Sequence, residues 1–197
     1  MAKDIININD TPQYYLNNLK DVIVFDTETT GFGPQSEILQ LSITDGTGKT
    51  LFNEYLKPTH NDSWPEAEAV HHISPAMVAD KKTFQDYFPQ LQLMFYSTKM
   101  IVGYNTRYDI SYLLRNQILL NDDVPIYDVM LAFAPINGEW NPRYNDYKWT
   151  NLTTCAKYYG YDLAEKAHNS LEDTKATAYC FRHLMEDQLK VEDENQQ

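Results

Sequence analysis

Basic residues are scarce: 16 Lys and Arg stand against 28 Asp and Glu in 197 residues, a formal net charge of −12. That balance argues against a broad positive surface gripping long nucleic acid. It leaves room for an enzyme that holds only a chain end through metal ions. Cysteine is nearly absent. Cys155 and Cys180 fall in segments that read as helical, which argues against a disulfide framework and fits a reducing cytoplasm. No apolar run approaches membrane-spanning length, and "MAKDIININD" carries no apolar signal region, so a soluble cytoplasmic protein with no membrane partner is expected. Internal repeats and Gly/Ser linkers are missing as well, so residues 1–197 read as one domain with its core at about 21–188. At 43% hydrophobic residues the chain is long enough to bury a sizeable core. Its 15 tyrosines read as core and rim packing rather than a base-stacking surface.

The apolar run Val22–Phe25 predicts a strand buried on both faces. "EILQLSITD" is a second strand, "DGTGK" is hairpin chemistry, and "TLFNEYLKP" is the returning strand, stopped by Pro58. A loop with short helices follows over 64–78. A helix is expected over 83–97, with Pro89 tolerable only near its first turn. "MIVGYN" predicts the fourth strand. Ile110, Leu113, Leu114 and Ile118 space out a helix over 108–120. "VPIYDV" is a short fifth strand, with a helix from after Asp128 to about Ala134. Residues 137–149 read as an aromatic, polar loop. A helix from about Thr150 stops at Gly160, and a last helix runs from about Leu171 to Gln188 before a frayed acidic tail. The order βββαβαβα predicts an α/β three-layer domain, a mixed five-stranded sheet whose first three strands are antiparallel, flanked by helices.

Asp26 and Glu28 end the first strand two residues apart, on the same side, where like charges raise each other's cost of ionisation. Turn chemistry before Gly31 is one account of them; a divalent metal that turns the repulsion into binding is another. Asp109 opens the helix after "MIVGYN", either as a favourable charge or N-cap at its start or as a carboxylate delivered to the strands' carboxyl edge. Asp173 shares a helical face with Ala176, Thr177, Cys180 and Leu184, a costly place for a charge. "SLED" also fits a capping box with Ser170 as N-cap and Asp173 at N3, which leaves His168 on the approach loop. Four carboxylates and a histidine thus come from a strand end, a helix start and a loop-to-helix junction.

"FDTETTG" (Phe25–Gly31), "GYNTRYDISYL" around Asn105 and Asp109, "VHHISPAMV" (Val70–Val78) and "HNSLEDTKAT", with His168 five positions before Asp173, resemble the DEDDh branch of the DnaQ-like 3′–5′ exonucleases. That family includes the epsilon proofreading subunit of bacterial DNA polymerase III and RNase T. The resemblance spans about Asp21 to Met185 and implies an RNase H-like fold. Tyr104 and Tyr108 depart from the His and Phe that the family often carries there. The resemblance implies two divalent cations, Mg²⁺ or Mn²⁺, held by Asp26, Glu28, Asp109 and Asp173, with His168 as general base. It implies contacts to a terminal nucleotide from Thr29, Thr30 and Gly31, with His71, Tyr104 and Asn105 as further candidates and Phe32 as a wedge. The implied partner is a single-stranded or frayed nucleic-acid 3′ end, DNA favoured over RNA, released as 5′-mononucleotides. An RNase T-like ribonuclease and a catalytically silent binding module are the alternatives. A haloacid-dehalogenase-type phosphatase fits poorly, because Glu28 is a methylene too long for its third motif position. The acidic balance predicts a distributive enzyme, or one paired with a polymerase or a second copy. The short acidic C-terminus leans towards a stand-alone enzyme or a separately encoded subunit.

Overall fold

The computed structural model describes residues 10–163 and 169–195. Its main strands are β1 (Val22–Thr29), β2 (Ile38–Asp45), β3 (Thr50–Tyr55), β4 (Met100–Gly103) and β5 (Ile126–Asp128), with a small pair, β6 (Trp140–Asn141) and β7 (Asp146–Tyr147). The helices are α1 (Pro12–Asn17), α2 (Pro65–His71), α3 (Pro75–Val78), α4 (Phe84–Ser97), α5 (Thr106–Arg115), α6 (Val129–Asn137), α7 (Leu152–Tyr158) and α8 (Ser170–Asn195). The five main strands lie in the order β3-β2-β1-β4-β5. β1, β2 and β3 pair antiparallel in succession, and β4 and β5 add in parallel. This is the mixed α/β sheet expected from the pattern of apolar runs.

β1 is central because both of its faces are apolar. Val22 and Val24 pack into a cluster with Ala176, Cys180, Phe181 and Leu184 of α8. Ile23 and Phe25 point the other way, to Leu91 and Phe95 of α4 and Tyr112 and Leu113 of α5. A side chain such as Phe181, wholly buried, contributes about 1.5–3 kcal/mol by leaving water. The even-numbered side of β2 is different: it carries Gln40, Ser42 and Thr44, all buried. α8 therefore docks its first turn on a polar surface, and Ser170 Oγ meets Ser42 Oγ at 2.5 Å.

Several boundaries differ from the sequence expectation. Ser170 does not cap α8. Asn169 does, its side-chain oxygen accepting from the Leu171 and Glu172 amides, so Ser170 is free to anchor the helix on β2 and Asp173 falls one position beyond N3. α8 continues to Asn195 through the acidic tail, helped by a Lys190–Asp187 pair at 3.0 Å. α4 carries Pro89 in its second turn; both Pro89 and Gln85, whose carbonyl loses its helical partner, are exposed, so that carbonyl is open to solvent. α5 starts two residues earlier than expected and ends at Arg115, because Gln117 turns into the left-handed region at φ 65°. The loop over 137–149 contains the β6–β7 hairpin, too short to leave a period-two pattern. Ahead of β1, α1 is started by a Thr11 cap and Pro12, a signal present in the sequence but not used. Among the described residues no helix is long and apolar enough to cross a membrane.

Candidate active site

The register of the sheet brings the acidic groups together. Asp26 pairs with Ser42 across β1 and β2, so their side chains rise on the same face. Ser170 sits on Ser42, and Asp173 follows one helical turn later, above the end of β1. The result is three carboxylates, Asp26, Glu28 and Asp173, each offering an oxygen within 4.8 Å of the other two. Just beyond Glu28 the pairing slips, Thr29 lying opposite Ile38 while Glu28 lies opposite Gln40. Leu39 is left as the extra residue of a bulge, which bends the strand end away from the sheet.

Asp109 arrives from the other side. β4 pairs only with Val22–Val24, so beyond that point the edge of β1 has no strand beside it. The first turn of α5 fills the gap, and Asp109 Oδ1 accepts from Thr27 N at 3.1 Å and Thr27 Oγ1 at 2.5 Å. Asp109 thus does not cap its helix; it seals the strand edge and faces the cluster. Asp128, which sequence reasoning passed over, fixes where α5 begins. Its carboxylate accepts from the Asn105 and Thr106 amides at 3.1 and 2.9 Å while capping α6 through Met130 N at 3.0 Å. A buried Asp between a short strand and a helix is the signal that would have found it.

The electrostatics of the site follow from burial and like charge. Burial, then Asp109, Glu28 and Asp173, push the Asp26 carboxyl well above the ordinary range, and every one of those influences acts upward. Burial and then the Asp173 charge raise Glu28 to about 8. Burial raises Asp109 to about 7 against the opposing bonds from Thr27. Hard carboxylate oxygens crowded in this way fit a divalent cation, which would favour all of their charged forms at once.

Next to the carboxylates a cavity of about 520 Å³ is walled by Glu28, Gly31, Phe32, Trp64, His71 and Tyr108, among others. The turn after β1 is held by side chains the sequence did not advertise. Gly31, at φ 144°, presents a carbonyl that accepts from Tyr112 at 2.6 Å, Thr29 Oγ1 at 3.0 Å and Tyr108 at 3.2 Å. Arg115 donates to the Gly33 and Pro34 carbonyls while its guanidinium lies 3.8 Å over the Tyr112 ring. Glu37 gathers the Thr59, His60 and Asn61 amides. Phe32 is 92% exposed, its ring centroid 5.6 Å from that of Tyr108.

Thr29 and Thr30 line the cavity with Gly31, as the expectation had them. His71 lines it too, but both ring nitrogens are engaged: Nδ1 accepts from Ile73 N at 3.0 Å, so Nε2 donates to Thr29 O at 3.1 Å. Burial lowers its pKa, which suits that neutral form. Asn105 is exposed at φ 60° in the N-cap position of α5. Tyr104 lies elsewhere, packed toward the α8 side with its hydroxyl donating to Thr150 O at 2.8 Å. His168 lies outside the described residues.

A sheet of this order, with acidic side chains gathered at the carboxyl ends of its central strands, defines an RNase H-like nuclease fold. The chain belongs to the RNase T exonuclease family, of the DnaQ-like type: the family's exonuclease pattern matches residues 23–181. It is 31% identical over 166 residues to an uncharacterised exonuclease, CP81, of Escherichia phage 186, covering 80% of this chain and 84% of that protein. It is 30% identical over 172 residues to a DNA polymerase III subunit epsilon-like protein of Rhodobacter capsulatus, covering 83% of this chain but 23% of that protein. Exonuclease X, solved with 5′-overhanging duplex DNA, shares the fold at a TM-score of 0.60 and 23% identity, over 84% of this chain and 92% of that one.

Proposed function

We propose that this exonuclease removes nucleotides from the 3′ end of nucleic acid, DNA in preference to RNA, using two divalent cations. The observation that carries the reading is the convergence of Asp26, Glu28 and Asp173 oxygens within 4.8 Å, with the Asp109 charge near enough to push the Asp26 carboxyl upward. Asp26, Glu28 and Asp173 would hold one cation, and Asp26 with Asp109 the second. Bound there, the ions would supply an activated water and charge neutralisation on the phosphoryl oxygens.

The chain's own residues do the rest. The Thr29–Gly31 backbone, fixed by Tyr108, Tyr112 and His71, presents a rigid wall to the terminal nucleotide. Phe32 lies at the open lip of the cavity, where a terminal base can rest against it. His168 takes the proton of the attacking water as oxygen bonds to phosphorus. The P–O3′ bond then breaks, the O3′ oxygen takes a proton from solvent water, and a 5′-mononucleotide leaves. The preference for DNA draws on the names of relatives, such as exodeoxyribonuclease 10 of Escherichia coli, 33% identical over 87 residues that make up 37% of that protein.

The test uses 3′- and 5′-labelled single-stranded DNA, a duplex with a 3′ mismatch, and RNA, each with Mg²⁺, Mn²⁺ or EDTA. A ladder receding from the 3′ end, abolished by EDTA and faster on DNA, is expected. Cleavage receding from the 5′ end, or turnover undiminished in EDTA, would sink the proposal.

A further inference from the structure

The β6–β7 hairpin stands apart from everything the site uses. Residues 139–149 contain four aromatics, and three are well exposed: Trp140 at 48%, Tyr144 at 69% and Trp149 at 64%. Trp140 pairs with Tyr147 across the strands, rings edge-on at 5.2 Å, and a cleft of about 610 Å³ is lined by Tyr144, Tyr147, Trp149 and neighbouring polar residues of the same hairpin. A lone two-stranded ribbon gains little from burial. Keeping large rings in water on such a ribbon points to a surface that is covered in use.

Its position says by what. The hairpin leads into α7 through Thr150, whose carbonyl accepts from the Tyr104 hydroxyl just after β4, so Trp149 lies one residue from that contact. Tyr104 directly precedes Asn105 and α5, the helix whose first turn carries Asp109. The base of the aromatic ribbon is therefore tied to the β4–α5 junction, five residues before Asp109. Its charge also differs from that of the chain: Arg143 and Lys148 balance Glu139 and Asp146 in a protein of net −12. Arg143 lies 5.5 Å over the Tyr144 ring, and Arg107 is exposed on the first turn of α5. A polyanion with flat faces is repelled less here than by the acidic surface at large.

We propose that this hairpin is a stacking platform for the single-stranded segment of substrate lying 5′ of the scissile nucleotide. Bases stack on aromatic rings with little regard to sequence, and Arg over an aromatic adds a cation beside the phosphates. On this proposal Tyr144 and Tyr147 would give the tyrosine excess a stacking role beside the core and rim packing expected of it. The proposal rests on the exonuclease reading above, and its test separates the two.

Binding of oligothymidylates of about 3 and about 12 nucleotides is measured in EDTA at low salt, by intrinsic tryptophan fluorescence and by anisotropy of a labelled strand. The wild-type chain is expected to bind the longer strand at least about tenfold more tightly, with tryptophan quenching. Trp140→Ala with Trp149→Ala is expected to erase that length dependence, and Trp140→Phe with Trp149→Phe to keep most of it. Tyr144→Ala, at the exposed tip, gives a second probe that leaves the ribbon's ring pair in place, and it is expected to weaken the longer strand's binding severalfold. Unchanged length dependence in the alanine variants would overturn the proposal and leave the rings to a protein partner. If labelled strands stay intact in Mn²⁺ while the length dependence and its loss are seen, the nuclease reading fails and the platform stands.

Discussion

Asp173→Asn gives the sharpest separation between a carboxylate that binds metal and one that stabilises a helix. In the metal-free protein its charge lies within 4.8 Å of an oxygen of Asp26 and of Glu28. At an effective dielectric of about 20, two unit charges at that separation repel by about 3.5 kcal/mol. Glu28, raised to about 8 by burial and by Asp173, is half protonated near that pH, so the repulsion realised there is smaller, on the order of 1–3 kcal/mol. Removing the Asp173 charge should return that amount, a rise in Tm of roughly 3–10 °C in EDTA at pH 8. The sign with pH follows from linkage. A carboxylate whose pKa is raised on folding binds its proton more tightly in the folded state. Stability is therefore lost as pH rises from the ordinary value of 4.5 through about 8 for Glu28. The gap between variant and wild type should accordingly close near pH 5. Mn²⁺ should reverse the order, raising the wild-type Tm and scarcely moving the variant, since a ligand at about a hundred times its Kd contributes about 2.7 kcal/mol. Thermal melts at the two pH values, with EDTA or Mn²⁺, read all of this. An Asp173→Asn protein that melts several degrees below wild type in EDTA at pH 8 would refute the reasoning and return Asp173 to a helix-stabilising role.

Thr27→Val deletes the 2.5 Å hydroxyl bond to Asp109 and leaves the amide bond. A bond that lowers the Asp109 pKa is lost, so the pH midpoint of Mn²⁺ binding should move upward from wild type, with a stability loss of about 1.5–3 kcal/mol; an unmoved midpoint in calorimetric titrations contradicts this. His168→Ala should keep wild-type Mn²⁺ binding and lower kcat by about 10²–10⁴; an unchanged single-turnover rate removes His168 from the reaction. Glu37 is held at about 2 because bonds from Asn61, Thr59 and His60 outweigh the upward pull of burial. A depressed pKa contributes stability that is present above pH 4.5 and is lost as pH falls toward 2. Glu37→Gln should be less stable at pH 7, with the gap shrinking steadily below pH 4.5 in urea unfolding; a gap at pH 2.5 as large as at pH 7 would falsify the charge-based account.

The sheet was readable because its signals are local and strong. Val22–Phe25 is apolar on both faces, Asp45–Lys49 is turn chemistry, and the returning strand stops at Tyr55, short of Pro58. What escaped was decided by tertiary contact. Nothing local distinguishes Ser170 from Asn169 as the start of α8; the choice falls to Asn169 because Ser170 is needed against Ser42, 128 positions away. The β6–β7 ribbon has two residues per strand, below the length at which alternation can be seen. The acidic continuation of α8 to Asn195 reads as a tail by charge, yet spaces Asp187 and Lys190 as a helix would.

The site divides along the same line. Asp26 and Glu28 announce themselves, because a buried strand that ends on two carboxylates facing one way has few structural excuses. Their partners become compelling only through geometry that sequence cannot carry. The Asp26–Ser42 register and the Ser42–Ser170 contact together determine where Asp173 arrives. Asp109 reaches the cluster because β4 stops at Gly103 and leaves the Thr27 amide to be satisfied from α5. Both devices use ordinary backbone requirements, a polar face needing a partner and an amide needing an acceptor, to hold together charges that would otherwise separate. That implies an order of dependence: substitutions at Ser42 or Thr27 should impair metal affinity without touching a proposed ligand, whereas Tyr104, spent on Thr150, should matter for how the chain between the hairpin and α7 is held against the β4–α5 junction.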